Sequence, residues 1–511
     1  MRLFFVLLIT FLATGSVERA YGKAAVDAAV AAARAHVAAK ERAIVDDFRA
    51  LLALPNVSTN LGDMARNADW IEARLAARDF SYERVSAGNA PYILAERTFP
   101  GAERTLLIYA HFDGQPVDPS EWATPPFTPT LRAGSLENDA AIVPWADAPA
   151  RLDPEWRIYG RSAGDDKAPV IAVFAALDAL AAAGITPSVN VKLILDGEEE
   201  FGSPTLAGVL AEHADKLDAD VLLFCDGPMH QSRRRQLVFG VRGSTTVELT
   251  TYGPNRPLHS GHYGGWAPNP NEALVRLLAG LHDAEGNVLI PGFADAARPP
   301  TTQERAAIAA MPEMDDALQA EFGLGRRLGG ETRLEERILG PAIIVKGIDG
   351  GGVGDAAANV IRSRARASLN VRIVPEQTPA TVRENFLGWL QGRGFHVVQW
   401  REPSEAELRD HPQVVRLDAG LGYPGYRTSL TSPEAGRLLE VLDAIGGEPT
   451  LLTPTMGGSL PVYRFDAALD MPILFLPVAN HDNNQHGRDE NLRVRNLLDA
   501  IDMFAALLAA F

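Results

Sequence analysis

A single cysteine, Cys225, stands in 511 residues, so no intrachain disulfide can form, and stability must come from packed cores and any bound metal. Positive charge is in deficit. The 48 Lys and Arg against 65 Asp and Glu leave a net charge of −17, which argues against nucleic acid or an anionic membrane as partner. Beyond the amino terminus no stretch has the length and apolarity of a membrane span. Also missing are a His-Glu-x-x-His pair, a Walker loop and a Gly-x-Ser-x-Gly elbow. Gly420-Leu421-Gly422-Tyr423-Pro424-Gly425 fits a dinucleotide fingerprint in letters only, because its proline and the lack of a preceding strand predict a turn. Cys225, with no histidine evident near it, reads as a small buried residue rather than a nucleophile.

What is present describes a globular chain, 46% hydrophobic and 22% charged, too long for one hydrophobic core and therefore expected to form two domains. Met1-Arg2 followed by the apolar run Leu3 to Ala13 predicts a signal peptide over residues 1–22, cut near Ala20-Tyr21-Gly22, with an uncleaved anchor as the alternative. Either way the body of the protein is expected outside the cytoplasm, periplasmic or secreted, with no membrane span once the signal is removed.

Alanine-rich helical spacing runs from Ala24 to about Leu54, and a second amphipathic helix fits Ala65 to Ala77. Strand-like runs follow at Tyr92 to Ala95, Thr105 to Ala110, Trp156 to Tyr159, Val189 to Leu195 and Val221 to Phe224, with a buried-looking helix from Ala168 to Ala183. Between Pro125 and Glu155 the aperiodic, proline-rich composition reads as a surface excursion. The alternation predicts an α/β catalytic domain with a doubly wound, mostly parallel sheet. Near Gln236 the pattern changes to that of a β-α-β-β-α-β layer whose last strand is His396 to Trp400, inserted into the first domain. The expected division is 23–235 and 423–511 for the catalytic domain, and 236–422 for the insertion.

The densest chemistry is Asp196-Gly197-Glu198-Glu199-Glu200-Phe201-Gly202-Ser203, placed by the preceding apolar run at the carboxyl end of a strand, where open α/β sheets bind ligands. Adjacent carboxylates repel unless a cation or a shared proton relieves them. His111, Asp165 and Asp226 likewise follow apolar strands, and His486 lies in the loop after the strand ending at Pro477. Together they offer imidazoles and carboxylates without thiolate, a donor set that suits zinc or manganese and suffices for two ions sharing a carboxylate. Asp113, two residues beyond His111 on the same side of an extended chain, can hold the other nitrogen of that imidazole.

These residues carry a resemblance. His111-Phe112-Asp113-Gly114-Gln115-Pro116-Val117, Gly160 to Lys167, Asp196 to Ser203, Leu258-His259-Ser260-Gly261 and His486 to Glu490 resemble, in the same order, the dinuclear-zinc peptidases of metallopeptidase family twenty. That group includes carnosine dipeptidases, aminoacylases, glutamate carboxypeptidases, acetylornithine deacetylases and succinyl-diaminopimelate desuccinylases. The resemblance implies two Zn²⁺ per subunit, with Mn²⁺ or Co²⁺ as substitutes. His111 and Asp226 would bind one ion, Glu200 and His486 the other, and Asp165 would bridge them. Glu199 would act as general base toward the shared water. The inserted layer would be a ferredoxin-like lid and dimerisation domain. His259 and Asn359 would reach the partner subunit's active site, and Arg372 with Gly458 and Ser459 would hold a substrate carboxylate.

The implied activity is hydrolysis of the amide bond of dipeptides or short peptides with a free carboxylate. Deacylation of N-acyl amino acids by the same machinery is the alternative, and an inactive metal- or peptide-binding homologue a second one. Departures from the family pattern fall outside the metal ligands. Ala168 replaces the glycine after Asp-Asp-Lys, Arg362 replaces a proline, and Ser432-Pro433 stands where carnosine-dipeptidase-like members carry His-Pro. They bear on substrate identity.

Overall fold

The computed structural model describes the side chains of residues 22–86 and 88–511, together with the backbone course of helix α1 (Leu3–Leu52) from its start. The expected signal peptide therefore lies outside the described residues but for Gly22. Among the described residues, no helix is long and apolar enough to cross a membrane.

The chain forms two compact units. The first comprises Met1–Phe239, Thr428–Thr453 and Arg464–Phe511, and the second comprises Gly240–Arg427 and Pro454–Tyr463. The boundaries differ from expectation in one instructive place. Residues 454–463, expected in the catalytic domain, belong to the second unit because Met456 bridges Val241 and Ser459 bonds to Arg372. Hydrogen bonds between segments 87 residues apart leave no trace in local periodicity.

The first unit is built on an eight-stranded mixed sheet. Its strands lie in the order Ser81–Val85, Tyr92–Arg97, Val189–Asp196, Arg104–His111, Val221–Phe224, Ile473–Phe475, Gln236–Val238 and Leu451–Thr453. Arg104–His111 is parallel to Val189–Asp196 on one side and to Val221–Phe224 on the other, and Ile473–Phe475 continues the parallel run. These central strands are apolar and buried along almost their whole length, as parallel strands covered on both faces require. Helix α3 (Lys167–Ala182) is apolar on nearly every side because it packs between α1 and the C-terminal helix Val494–Ala510 in the same core. The amphipathic helix α2 (Leu61–Ala76) lays Met64, Ala68, Ile71 and Leu75 on that core.

One expectation for this unit is corrected. Arg157–Tyr159 is not in the main sheet but in a separate three-stranded one, between Thr130–Arg132 and Asn491–Arg493. The excursion after Pro125 is tied down. Leu131 and Leu152 are buried, the Leu152 amide donates to Glu41 Oε1, and Arg49 stacks 3.8 Å over the Trp145 ring.

The second unit is a five-stranded sheet in the order Ala342–Asp349, Arg364–Ile373, Gly243–Tyr252, Val414–Tyr423 and His396–Gln399. Helices Pro270–Ala279 and Pro379–Gly392 pack on it through Leu274, Leu277, Val382, Phe386 and Leu390. The ferredoxin-like order holds, but its fourth strand is Val414–Tyr423, whereas His396–Gln399, expected in that role, is an added edge strand parallel to it. Gly420-Leu421-Gly422-Tyr423 is thus strand rather than turn. A β-carbon on Gly422 would stand 2.1 Å from Ser244 O, so glycine is needed where the strands close up beside a register shift.

Candidate metal centre

Parallel register decides where the chemistry falls. His111 pairs with Asp196 and Tyr109 with Phe224, so His111, the turn Glu199–Phe201 and Asp226 all emerge at the same carboxyl rim. Asp165 and His486 arrive by another route. The small sheet pairs Tyr159 with Asn491, which sets the loop after the first beside the loop before the second.

Two groups of donor atoms result, each within 4.8 Å: His111 with Asp165 and Asp226, and Asp165 with Glu200 and His486. Asp165 belongs to both through different oxygens. Its Oδ1 lies 2.8 Å from His111 Nε2, and its Oδ2 lies 3.2 Å from His486 Nε2. His486 Nε2 is also 3.2 Å from Glu200 Oε2, and His111 Nε2 is 3.8 Å from Asp226 Oδ2. All five sequence-predicted ligands therefore meet.

Electrostatics identify what this cluster lacks. Burial pushes Asp226 up to about 7, with the Asp165 charge adding to it. Burial likewise drives Glu199 well above the usual carboxylate range, reinforced by Asp226, Glu200 and Asp165 against the pull of His111. Hydrogen bonds to Asp165 and Glu200 raise His486 to about 10. Burial would lower His111, but Asp113 and Asp165 override it and hold the imidazole well above its ordinary value. Protons on two imidazoles thus stand between carboxylates in the positions where cations would neutralise the same charges. The residues fit a pair of divalent ions bound through nitrogen and oxygen.

The supporting residues explain the placement. Asp113, buried, lies 3.2 Å from His111 Nδ1, and its two carboxylate oxygens accept the amides of Glu199 and Glu200, each at 3.1 Å. One side chain therefore aims an imidazole and pins the acidic turn. Glu199 is half-buried and its carboxylate makes no hydrogen bond or ion pair with any described side chain, whereas Glu198 is spent on Tyr92 and Thr205. The acidic triplet is thus one anchor, one unengaged carboxylate and one ligand candidate.

Sequence reading assigned no role to Glu490 or Gln115. Glu490 Oε1 accepts the amides of Gly164 and Asp165, both at 2.9 Å, and its Oε2 accepts from Ser162 N and Arg161 Nη1. It is the buried fastener of the loop that presents Asp165. Gln115 Nε2 donates to Glu200 Oε2 at 2.7 Å. Both lie inside the recognised motifs, which was the available signal. Lys167 is buried too, and its ammonium donates to Leu51 O, Leu54 O and Asn67 Oδ1, satisfying carbonyls at the end of α1.

The remaining predicted residues form two groupings in the second unit. His259, exposed, and Asn359 lie together: the Ser260 amide donates to Asn359 O, and His259 pairs with Val360. Arg372 Nη1 donates to Ser459 Oγ at 2.6 Å, with exposed Gly458 adjoining.

An α/β sheet that gathers two acid–imidazole triads sharing one aspartate at its carboxyl rim defines a metal-dependent hydrolase. The chain belongs to peptidase family M20/M25/M40, whose profile matches residues 107–510. Among its relatives, the Cys-Gly metallodipeptidase dug1 of Schizosaccharomyces pombe is 26% identical over 457 residues, covering 84% of this chain and 86% of that protein. The Beta-Ala-His dipeptidase of Homo sapiens is 25% identical over 462 residues, covering 87% and 83%. Among solved structures, human carnosine dipeptidase 1 superposes with a TM-score of 0.74 at 20% identity over 94% of this chain and 98% of that one. An M20 family metallo-carboxypeptidase from Sulfolobus solfataricus gives 0.71 at 27% identity, over 91% and 98%.

Proposed function

We propose that this protein is an exported, dimeric dipeptidase with two zinc ions, hydrolysing dipeptides or short peptides that end in a free carboxylate. The observation that carries the reading is the sharing of Asp165 between two ligand groups beside an unengaged Glu199. The relatives named as dipeptidases support the substrate class.

His111, Asp226 and one oxygen of Asp165 would hold one ion, and Glu200, His486 and the other oxygen would hold the second. When bound, such ions polarise an amide carbonyl and acidify water. Glu199, whose carboxylate no described side chain engages, accepts the proton of the attacking water and delivers it to the departing amine. Asp113 keeps His111 and the Glu199 backbone in register throughout. Arg372 and Ser459 hold the substrate carboxylate, and His259 and Asn359 act on the partner subunit's substrate. The strand Ala342–Asp349 supports dimerisation, being an open sheet edge with Ile344, Val345 and Ile348 exposed.

The full-length protein, loaded with zinc or manganese and offered dipeptides and N-acetyl amino acids, should release both amino acids from the former and little acetate from the latter. Acetate as the main product would move the assignment to deacylation. Glu199→Gln should keep its metal and lose roughly 10²–10⁴-fold in turnover. Undiminished hydrolysis in that variant removes the assigned base. Mixing His259→Ala subunits with Glu199→Gln subunits should restore activity above either parent, since one site per mixed dimer is complete. Confirmed mixed dimers without activity would contradict the role across subunits.

A further inference from the structure

Several half-buried arginines in the second unit are neutralised. Arg427 pairs with Glu304, Arg333 with Glu335, and Arg416 with Glu402 and Asp418. Arg242 and Arg372 are not, and unlike the other unpaired arginines of this unit they are held to one segment. Among the described residues neither has a carboxylate within ion-pair distance, and they lie close in the fold, because Arg242 stands two residues before Ser244, the cross-strand partner of Arg372. Two unneutralised guanidiniums side by side, partly desolvated, are costly unless an anion joins them.

Both are attached to one short segment. The Met456 amide donates to Gly240 O at 2.8 Å, Arg242 Nε and Nη2 donate to Gly457 O at 3.2 and 3.1 Å, and Arg372 Nη1 donates to Ser459 Oγ at 2.6 Å. Residues 456–459 are thus fastened at three successive points, with Gly458 exposed between the two arginine contacts and no atom within 4 Å of where its β-carbon would stand. Arg242 Nη1 makes no hydrogen bond in the structure and is not a buried orphan, so it remains able to meet a ligand. Burial, then the charge of Arg372, lowers Arg242 to about 10.

We propose that Arg242 is a positioning and specificity residue of the carboxylate subsite. It holds the Gly457–Ser459 segment against Arg372 and supplies a second positive charge, so that this subsite selects peptides by the anion at their carboxyl terminus. The inference rests on the reading that Arg372 and Ser459 receive that carboxylate.

The test compares a dipeptide bearing a free carboxylate with the same dipeptide as its C-terminal amide, using the metal-loaded full-length enzyme and its Arg242→Gln, Arg242→Lys and Arg372→Gln variants. In Arg242→Gln, KM for the free acid should rise roughly 10-fold or more, with a smaller change in kcat, and the acid-to-amide preference should fall by a similar factor. Arg242→Lys keeps the charge and loses the fork, so its preference should lie between wild type and Arg242→Gln. It remains informative if the glutamine variant fails to fold, since a preference equal to wild type in the lysine variant overturns the role. An Arg242→Gln enzyme weakened equally on acid and amide, or weakened only in kcat, marks a merely structural arginine and overturns it as well. Wild type without any preference for the acid, or Arg372→Gln with its preference intact, overturns both this inference and the reading beneath it. Preference lost in Arg372→Gln but untouched in Arg242→Gln overturns Arg242 alone.

Discussion

Asp113 shows how much of the site one side chain can organise. Its neighbourhood with His111 was legible, because a two-residue spacing on an extended chain puts both on one side. Its grip on the Glu199 and Glu200 amides was not, since those contacts span 86 and 87 residues. Asp113→Asn replaces an acceptor oxygen by a donor that faces an amide N–H in either orientation. Metal affinity should fall roughly 10–100-fold, read by competition with a chelator of known affinity. Wild-type affinity in the variant would sink the orienting role. Glu490 belongs to the same class of residue, with four donors converging on one buried carboxylate, and its importance likewise comes from partners more than 300 residues away. Arg372 and Ser459 were named from their motifs, but that they touch is a tertiary fact.

At the scale of elements, long buried strands and amphipathic helices were readable, because apolar runs and 3.6-residue spacing are local properties. Short or irregular strands were not. Val414–Tyr423 is interrupted by Arg416, Asp418, Gly420 and Gly422, and its pairing slips a register beside Thr246 and Val247. Its glycines read as a turn in isolation, whereas the neighbouring strand requires Gly422. Gly422→Ala tests this point: a β-carbon 2.1 Å from Ser244 O forces the strands apart or breaks pairing, so the variant should lose about 2 kcal/mol or more in denaturant unfolding. A variant as stable as wild type would mean that the close approach is not needed. Helix α1 offers a contrast. Its helical spacing was plain, but its end is satisfied by Lys167, a residue whose motif suggested chemistry at the metal and whose bonds serve the helix.

For the whole molecule, the charges buried at the rim tie stability to pH and metal. In the metal-free chain Asp226, Asp196 and Glu490 are each pushed up to about 7, mainly by burial, from ordinary values of 3.8 or 4.5. Between about pH 4 and pH 7 the folded state therefore keeps protons that the unfolded chain has released, and stability falls as pH rises through that window. His486, raised to about 10, adds stability that is complete below its ordinary 6.5 and is lost as pH rises toward 10, the same direction. Of these, the protons on Asp226 and His486 stand where metal would bind, so the stabilising effect of metal should grow with pH. Melting curves of chelator-treated and zinc-loaded protein should diverge between pH 5 and pH 8. A gap that stays constant or narrows would count against proton displacement at this site.

The sequence by itself determined the α/β class, the existence of an inserted layer, and the residue types able to bind metal or move a proton, because strand and helix patterns and motif spacings are written locally. Only the tertiary structure decided that Asp165 reaches its two groups through different oxygens, that Glu199 is left unengaged while Glu198 is tied up, that residues 454–463 return to the second unit, and that Arg242 stands unneutralised beside Arg372. Each of these depends on atoms far apart in the chain being brought within a few ångströms, which is set by the register of parallel strands and the packing around them rather than by any stretch of sequence alone.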